Sequence, residues 1–116
     1  MRHRIATKKF KASRSKQDML FRNLAASLIL HERIQTTQPK AKELSRYIDR
    51  AITVAKRGTL ASKRDLSSLV TGPTAAAKMR KEIVPRYKER NSGFTRIVKM
   101  GQRKGDGTLM VKIELV

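Results

Sequence analysis

The residues whose types could support catalysis are few and stand apart from one another. His31 is followed by Glu32, but neither has a nucleophile or a third orienting group near it in the sequence. Four glycines occur between Gly93 and Gly107. Gly101, Gly105 and Gly107 separate two strand-like segments, and no Gly-Lys-Ser/Thr follows, so they predict a hairpin turn rather than a nucleotide-binding loop. The chain is therefore predicted not to be an enzyme, and no catalytic residue is assigned.

Metal and cofactor sites have little support either. The chain contains no cysteine and two histidines, which excludes disulfide scaffolds and zinc ribbons and leaves too few ligands for a histidine-built metal centre. Its nine acidic residues are scattered among basic ones, without the cluster that a two-metal nuclease needs. We expect no metal, no cofactor and no small-molecule substrate.

Charge is the dominant feature of the composition. The 116 residues include 28 Lys or Arg and nine Asp or Glu, which gives a formal charge of +19. A folded body with this surplus repels itself unless a polyanion neutralises it. No apolar run approaches the ~20 residues that cross a bilayer, and no apolar segment follows the basic N-terminus as in a secretory signal. We therefore expect a cytoplasmic protein with a nucleic-acid partner and no membrane.

Basic side chains concentrate in two places. Residues 1–16 contain no acid and seven basic residues, namely Arg2, Arg4, Lys8, Lys9, Lys11, Arg14 and Lys16. Further along, Lys42, Arg46 and Arg50 follow one another at helical i, i+4 spacing, which stacks like charges on one face at a cost of a few tenths of a kcal/mol per pair. A phosphate backbone would turn this repulsion into attraction. The alternatives are a solvated tail and a solvated helix face partly neutralised by Glu43 and Asp49.

Hydrophobic spacing predicts the elements that position these residues. A first helix starts at Ser15, with Asp18 completing a weak capping box, and its apolar stripe comprises Leu20, Phe21, Leu24, Ala25, Leu28 and Ile29. A short extended segment follows around Ile34. The second helix is capped by Thr37, has Pro39 in its first turn and ends at Gly58. Its buried face is predicted to comprise Ala41, Leu44, Ile48, Ala51, Ile52 and Ala55.

The remaining chain predicts two more helices and a hairpin. The third helix covers Leu60–Val70, and the fourth covers Ala75–Ile83 and stops near Pro85. From Phe94 the period changes to two, and the turn is predicted over Gly101–Gly107. The expected fold class is α+β: a small three-stranded sheet packed with about four helices. An extended basic N-terminal arm (1–14) precedes a single globular domain (15–116).

The kind of nucleic acid follows from what the chain lacks. Aromatic residues make up only 4% of the sequence, and most are expected in the core, which leaves little for base stacking. No zinc-finger or basic-zipper signature is present. We therefore expect recognition of the phosphate backbone and shape of a structured RNA.

Four separated stretches also resemble a known family. They are MRHR at the start, FRNLAASLILHERIQTTQPKAKEL (21–44), SGFTRIVKMG (92–101) and KGDGTLMVKIELV (104–116). They are similar to the bacterial L-seventeen family of large-subunit ribosomal proteins, and the similarity covers nearly the whole chain. It implies a structural constituent of the large subunit that binds large-subunit ribosomal RNA near the peptide exit tunnel, beside other ribosomal proteins.

The resemblance also implies particular RNA-binding residues. These are Arg2, His3, Arg4, Arg22, Asn23, Thr36, Thr37, Lys40, Lys42 and Arg96. The charge pattern adds Lys8, Lys9, Lys11, Arg14, Lys16, Arg46 and Arg50, and Arg103 in the predicted turn completes the candidate set.

Two other functions stay open at this point. An architectural DNA-binding protein would share the charge, but such proteins often insert apolar wedges into the duplex, and the sequence offers Phe10 as the only candidate. An RNA-processing enzyme would need catalytic residues that the sequence does not supply. A competition between duplex DNA and folded ribosomal RNA separates the first alternative from an RNA-binding protein.

Overall fold

The structure, a computed structural model, describes residues 13–116. Residues 1–12 lie outside the described residues, so the predicted boundary between arm and domain stays a prediction. The elements are α1 (Arg14–His31), β1 (Arg33–Thr37), α2 (Gln38–Lys56), α3 (Leu60–Leu69), α4 (Pro73–Lys78), a π-helical segment (Met79–Ile83), α5 (Val84–Arg86), β2 (Thr95–Gln102) and β3 (Leu109–Leu115). Since the segments from Pro73 to Arg86 form one continuous helical run, the predicted α+β class with three strands and about four helices is confirmed.

The sheet is antiparallel and has the order β1-β3-β2. In the central strand, Ile113 lies opposite Ile34 of β1 and Ile97 of β2. Alternate β3 residues, Val111 and Ile113, are fully buried on the face that α2 covers. Helices thus pack against one face of the sheet, while residues of the other face, such as Val98, stay exposed.

The helix α2 supplies the largest share of the core. Its buried residues include every member of the face that the sequence predicts, Ala41, Leu44, Ile48, Ala51, Ile52 and Ala55. Hydroxyls of Ser45 and Thr95 are 2.8 Å apart and join α2 to β2. Because the buried face fixes the rotation of α2, the opposite face must point to solvent, and it carries Lys42, Arg46 and Arg50, here called the basic column.

The start of α1 differs from the prediction. Ser13 is the N-cap, in an extended conformation, and its hydroxyl accepts a hydrogen bond from the Lys16 N–H at 3.4 Å. Ser15 is already helical, so the predicted start at Ser15 is wrong by one residue, and Asp18 lies too far along to complete a capping box. Of the predicted stripe, Phe21, Ala25, Leu28 and Ile29 are buried, and Leu20 and Leu24 are half-buried against the same core.

The end of the fourth predicted helix is also different. Helical structure starts at Pro73 and continues to Arg86, past Pro85. In the π-helical segment the Val84 N–H bonds to the Met79 carbonyl, five residues back. Proline cannot donate to the carbonyl four residues before it, and its ring crowds that group. A turn that is already widened avoids this conflict, which explains why Val84 keeps a helical conformation directly before a proline.

The hairpin turn is shorter than predicted. The strand β2 runs through Gly101 to Gln102, and its register shifts between Lys99 and Gly101 in a β-bulge. Gly101 has φ +111°, so its position suits a residue without a Cβ. The connection is closed by the Arg103 N–H, which donates to the Thr108 carbonyl at 2.7 Å. Gly101, one of the three glycines predicted in the turn, therefore lies in the β-bulge of β2 instead.

Candidate nucleic-acid interface

The basic column of α2 is the most open of the candidate sites. Lys42, Arg46 and Arg50 are all exposed, and the side chain of Arg46 is 67% exposed. Successive members are about 6 Å apart along the helix axis, since each residue rises 1.5 Å. Arg57, which follows the last residue of α2 and is exposed, lies about four turns beyond Lys42 and extends the column. Arg57 is not among the residues predicted from the sequence, although its spacing from Lys42 places it on the same helix face.

The two acids beside the column are used differently. Glu43 pairs with Arg46 at 3.5 Å. The carboxylate of Asp49 instead accepts a hydrogen bond from the Phe94 N–H at 3.4 Å, at the start of β2. Burial raises the pKa of Asp49, while that hydrogen bond opposes the rise. Asp49 therefore serves to join α2 to the segment before β2, a role that its sequence position does not reveal.

An aromatic ring contacts one residue of the column. The guanidinium of Arg50 lies 5.3 Å from the centroid of the Tyr47 ring, a cation–π contact. The Tyr47 hydroxyl donates to the Leu69 carbonyl at 2.6 Å, and its ring stacks on Phe21. Burial raises the pKa of Tyr47, and the charges of Arg50 and Arg22 oppose that rise. Arg22 and Arg50 therefore both lie near the Tyr47 ring, which its hydrogen bond and its stacking on Phe21 hold in place.

Arg22 and Asn23 also join α1 to the end of α3. Arg22 donates to the Ser67 carbonyl at 3.4 Å, and its Nε is buried without a hydrogen-bond partner. The amide oxygen of Asn23 accepts from the Thr71 hydroxyl at 2.9 Å. Both predicted RNA-binding residues therefore have a structural role within the domain, although Asn23 stays exposed.

The residues around the start of α2 differ in accessibility. Thr36 is only 8% exposed. Thr37 is half-buried and stands at the N-cap, but its side chain makes no capping hydrogen bond, so the predicted cap is only positional. Lys40 is half-buried in the first turn of α2. Of these three, Thr37 and Lys40 can reach a ligand outside the domain.

The two arginines of the hairpin are paired with carboxylates. Arg96 donates to Glu114 Oε1 from Nε at 2.9 Å and from Nη2 at 2.6 Å. Arg103 makes a forked pair with Asp106 at 3.2 and 2.5 Å. These hydrogen bonds lower the pKa values of Glu114 and Asp106, so both acids are ionised at neutral pH. A phosphate would have to compete with an internal carboxylate for each of these guanidinium groups.

The predicted arm is described only at its junction with the domain. Arg14 and Lys16 are exposed in the first turn of α1, which contains no acid, so they add to the positive end of the helix dipole. The other arm candidates lie outside the described residues: Arg2, His3, Arg4, Lys8, Lys9 and Lys11.

Among residues 13–116, no group of three or more His, Cys, Asp or Glu side chains is placed to hold a metal ion. Glu32 pairs with Arg86 and with Lys78. His31 is exposed at the end of α1.

No helix within the described part of the chain is both long and apolar enough to span a membrane.

Comparison with known proteins adds independent information. The family model for ribosomal protein L17 matches residues 20–116. Large ribosomal subunit protein bL17 of Hyphomonas neptunium is 46% identical over 116 residues, which is all of this chain and 83% of that protein. The bL17 of Ehrlichia canis is 46% identical and is covered to 91% of its length, and that of a Sulfurihydrogenibium species is 44% identical and covered to 97%.

Proposed function

Since the chain belongs to the ribosomal protein L17 family, it is a structural constituent of the large ribosomal subunit, and we propose that it binds large-subunit ribosomal RNA through the phosphate backbone and RNA shape. The family is structural and not enzymatic, which confirms the prediction that the chain is not an enzyme. It acts in the cytoplasmic ribosome of the bacterial type.

The exposed column of α2 carries the proposal. Lys42, Arg46, Arg50 and Arg57 are exposed and point away from the core, and Arg46 is paired with Glu43 at 3.5 Å. Lys and Arg side chains on one helix face can contact successive phosphates without reading bases. The contact between Arg50 and Tyr47 orders one guanidinium in advance, which lowers the entropy lost on binding.

Further contacts come from both sides of the column. Arg14 and Lys16 at the start of α1 would continue the cationic surface toward the arm, whose residues Arg2, His3, Arg4, Lys8, Lys9 and Lys11 are proposed to contact RNA. Thr37 and Lys40 would add contacts at the other end of α2. Arg96 and Arg103 would contribute less because carboxylates neutralise them, and Arg22 and Asn23 would act mainly by orienting α1.

The position in the particle is part of the same proposal. The family resemblance supports a place near the mouth of the nascent-peptide exit tunnel, beside neighbouring ribosomal proteins. Crosslinks from an exposed α2 position to RNA in isolated large subunits would test this placement, because the crosslinked nucleotides should lie near the tunnel mouth. Crosslinks confined to distant RNA segments would contradict it.

Competition binding tests the RNA preference. Labelled large-subunit RNA is bound at moderate salt and challenged with either unlabelled folded ribosomal RNA or unlabelled duplex DNA of equal phosphate concentration. We expect the ribosomal RNA to displace the label at a much lower concentration than the DNA. Equal competition would favour an architectural DNA-binding protein, and failure of the protein to co-sediment with large subunits from a lysate would refute the proposed function.

A further inference from the structure

A cleft outside the α2 column has the properties of a second RNA contact. It lies where the end of α2, the start of α3 and the π-helical segment meet, and it encloses about 180 Å³. Its walls include the apolar side chains of Ala55, Leu66 and Val84. Typical small-molecule pockets begin at ~300 Å³, so this cleft suits one flat ring system rather than a larger ligand.

Two cations from different elements stand at this cleft. Lys63 of α3 and Arg80 of the π-helical segment both line it and are exposed. Neither has a carboxylate partner in the part of the chain that the structure describes. Lys56 also lines the cleft, but its ammonium donates to the Arg90 carbonyl at 2.5 Å and lies 5.7 Å from the Phe94 ring centroid. Lys63 and Arg80 are thus available to an anion.

The surroundings of the cleft favour a polyanion over a protein side chain. Around it the chain places six basic residues, Lys56, Arg57, Lys63, Arg64, Arg80 and Lys81, against Asp65 and Glu82. Leu60, in the first turn of α3, is 67% exposed, more than any other large apolar side chain in the described structure. An apolar surface next to cations without carboxylate partners is complementary to a nucleotide, because a nucleotide carries both a flat base and a phosphate group.

We propose that this cleft binds a single unstacked base of the RNA, with Lys63 and Arg80 contacting the adjoining phosphates. The inference rests on the proposed function and adds a specific contact to it. Bases in RNA loops and bulges are often splayed out of the stack, and apolar side chains can sandwich them as aromatic rings do. A phosphate alone would gain nothing from the walls formed by Ala55, Leu66 and Val84.

The π-helical segment helps to form the cleft. Arg80 lies within it and Val84 follows it directly; the two are four residues apart, so they lie on the same side of the helical run, and both line the cleft. Such turns are rare and frequently occur at functional sites. Here the segment provides one cation of the cleft, Arg80, and the residue directly after it, Val84, provides one apolar wall.

Nuclear magnetic resonance of the full chain tests the proposal directly. AMP, GMP, CMP and UMP are titrated separately while the methyl resonances of Leu66 and Val84 are followed. We expect saturable shifts of both residues with at least one nucleotide, and no methyl shifts with ribose 5-phosphate or inorganic phosphate. The inference would be overturned if ribose 5-phosphate shifted these methyl resonances as much as the nucleotides do, or if none of the four nucleotides shifted them.

A matched pair of variants tests the two cations. Lys63→Gln with Arg80→Gln removes the charges at the cleft, whereas Arg64→Gln with Lys81→Gln removes equal charge from the same two elements at residues that do not line it. The first pair should weaken nucleotide binding by about tenfold, and the control by less than twofold. Equal weakening would overturn the assignment of Lys63 and Arg80.

Binding of whole ribosomal RNA separates this inference from the proposed function. If the unaltered chain binds large-subunit RNA but nucleotides do not shift the methyl resonances of Leu66 and Val84, only the base site is refuted. If the unaltered chain does not bind the RNA at all, the proposed function fails as well.

Discussion

Glu32 shows how one side chain can hold separate parts of this domain together. It ends α1 with φ +63°, and its N–H donates to the Leu28 carbonyl at 2.7 Å. Its carboxylate pairs with Arg86 at the end of the helical run, and also with Lys78 at 3.7 Å. Its own carbonyl accepts from the Leu115 N–H at 2.9 Å. The residue therefore joins α1, the end of β3 and the Pro73–Arg86 run.

The ion pair of Glu32 should make stability depend on acid pH. The hydrogen bond from Arg86 holds the pKa of Glu32 below its ordinary value of 4.5, against a smaller effect of burial. A lowered pKa in the folded state stabilises the protein above pH 4.5, and this contribution is lost as the pH falls through the folded value. Because the side chain is 40% exposed, we expect at most ~1 kcal/mol.

Thermal melting of Glu32→Gln checks this prediction. At pH 7 the variant should melt a few degrees lower than the unaltered chain, and the difference should shrink toward pH 3. The control is Glu82→Gln, because Glu82 is exposed and has no ion-pair partner among residues 13–116. A difference between Glu32→Gln and the unaltered chain that does not change with pH would refute the assigned ion pair.

Tyr47 contacts Arg50 of the basic column with its ring and bonds to the end of α3 through its hydroxyl. Tyr47→Phe removes the hydroxyl that donates to the Leu69 carbonyl and keeps the ring that contacts Arg50. We expect a loss of about 1 kcal/mol in the free energy of unfolding, measured by urea denaturation, because one partly buried hydrogen bond is lost. RNA affinity should change little because the charges remain. Unchanged stability would contradict the importance of this hydrogen bond.

Among the elements, α2 was predictable and the helical run before β2 was not. The buried face of α2 repeats with the helical period, and Pro39 and Gly58 mark its ends, so periodicity alone orients the basic column. The π-helical segment leaves no comparable signal, because a shift of hydrogen bonds from four to five residues does not alter which residue types are apolar. The proline rule even predicts an earlier end, before Pro85.

The candidate site was likewise predictable only in part. Exposure of Lys42, Arg46 and Arg50 follows from the amphipathic pattern of their own helix. The hydrogen bonds of Arg22 to Ser67 and of Asp49 to Phe94 each span 45 residues and depend on tertiary packing. Sequence spacing therefore locates a charged surface, but it does not show which charged side chains are committed to internal partners.

The column as an element gives a third prediction. Replacing Lys42, Arg46 and Arg50 together by Gln should reduce the slope of log affinity against log salt for ribosomal RNA by about 2–3, since each phosphate contact contributes about 1. Filter binding at several salt concentrations measures this slope. Thermal stability should be unchanged or slightly higher, because repulsion between like charges on α2 is relieved.

A variant with the same charge loss is the control for this experiment. Lys88→Gln, Lys99→Gln and Lys104→Gln combined remove three exposed cations that lie outside α2 and outside the proposed cleft. The control should bind nearly as the unaltered chain does. If both triple variants lost affinity and slope equally, net charge rather than the α2 column would determine binding.

At the scale of the whole molecule, a single hydrophobic core is surrounded by charged side chains. The buried cluster contains α1, α2, α3, the Pro73–Arg86 run and the sheet, while the surplus of +19 has to lie at the surface or in the arm. This arrangement predicts that the domain folds through its core and that the arm contributes mainly to binding.

Truncation separates these two contributions. Deleting residues 1–12 removes Arg2, Arg4, Lys8, Lys9 and Lys11 but keeps Ser13, the N-cap of α1. The helical signal in circular dichroism should be nearly intact, and the affinity for ribosomal RNA should fall sharply because up to five phosphate contacts are lost. Equal affinity of the truncated chain would show that the arm does not bind RNA.

The most direct test of an electrostatic interface is the salt dependence of binding to large-subunit ribosomal RNA. If about eight phosphates are neutralised, affinity should fall by roughly 10³–10⁵ between 50 and 200 mM salt, with a linear relation between log affinity and log salt. An affinity that stays nearly constant over this range would contradict an interface formed by Lys and Arg on the phosphate backbone.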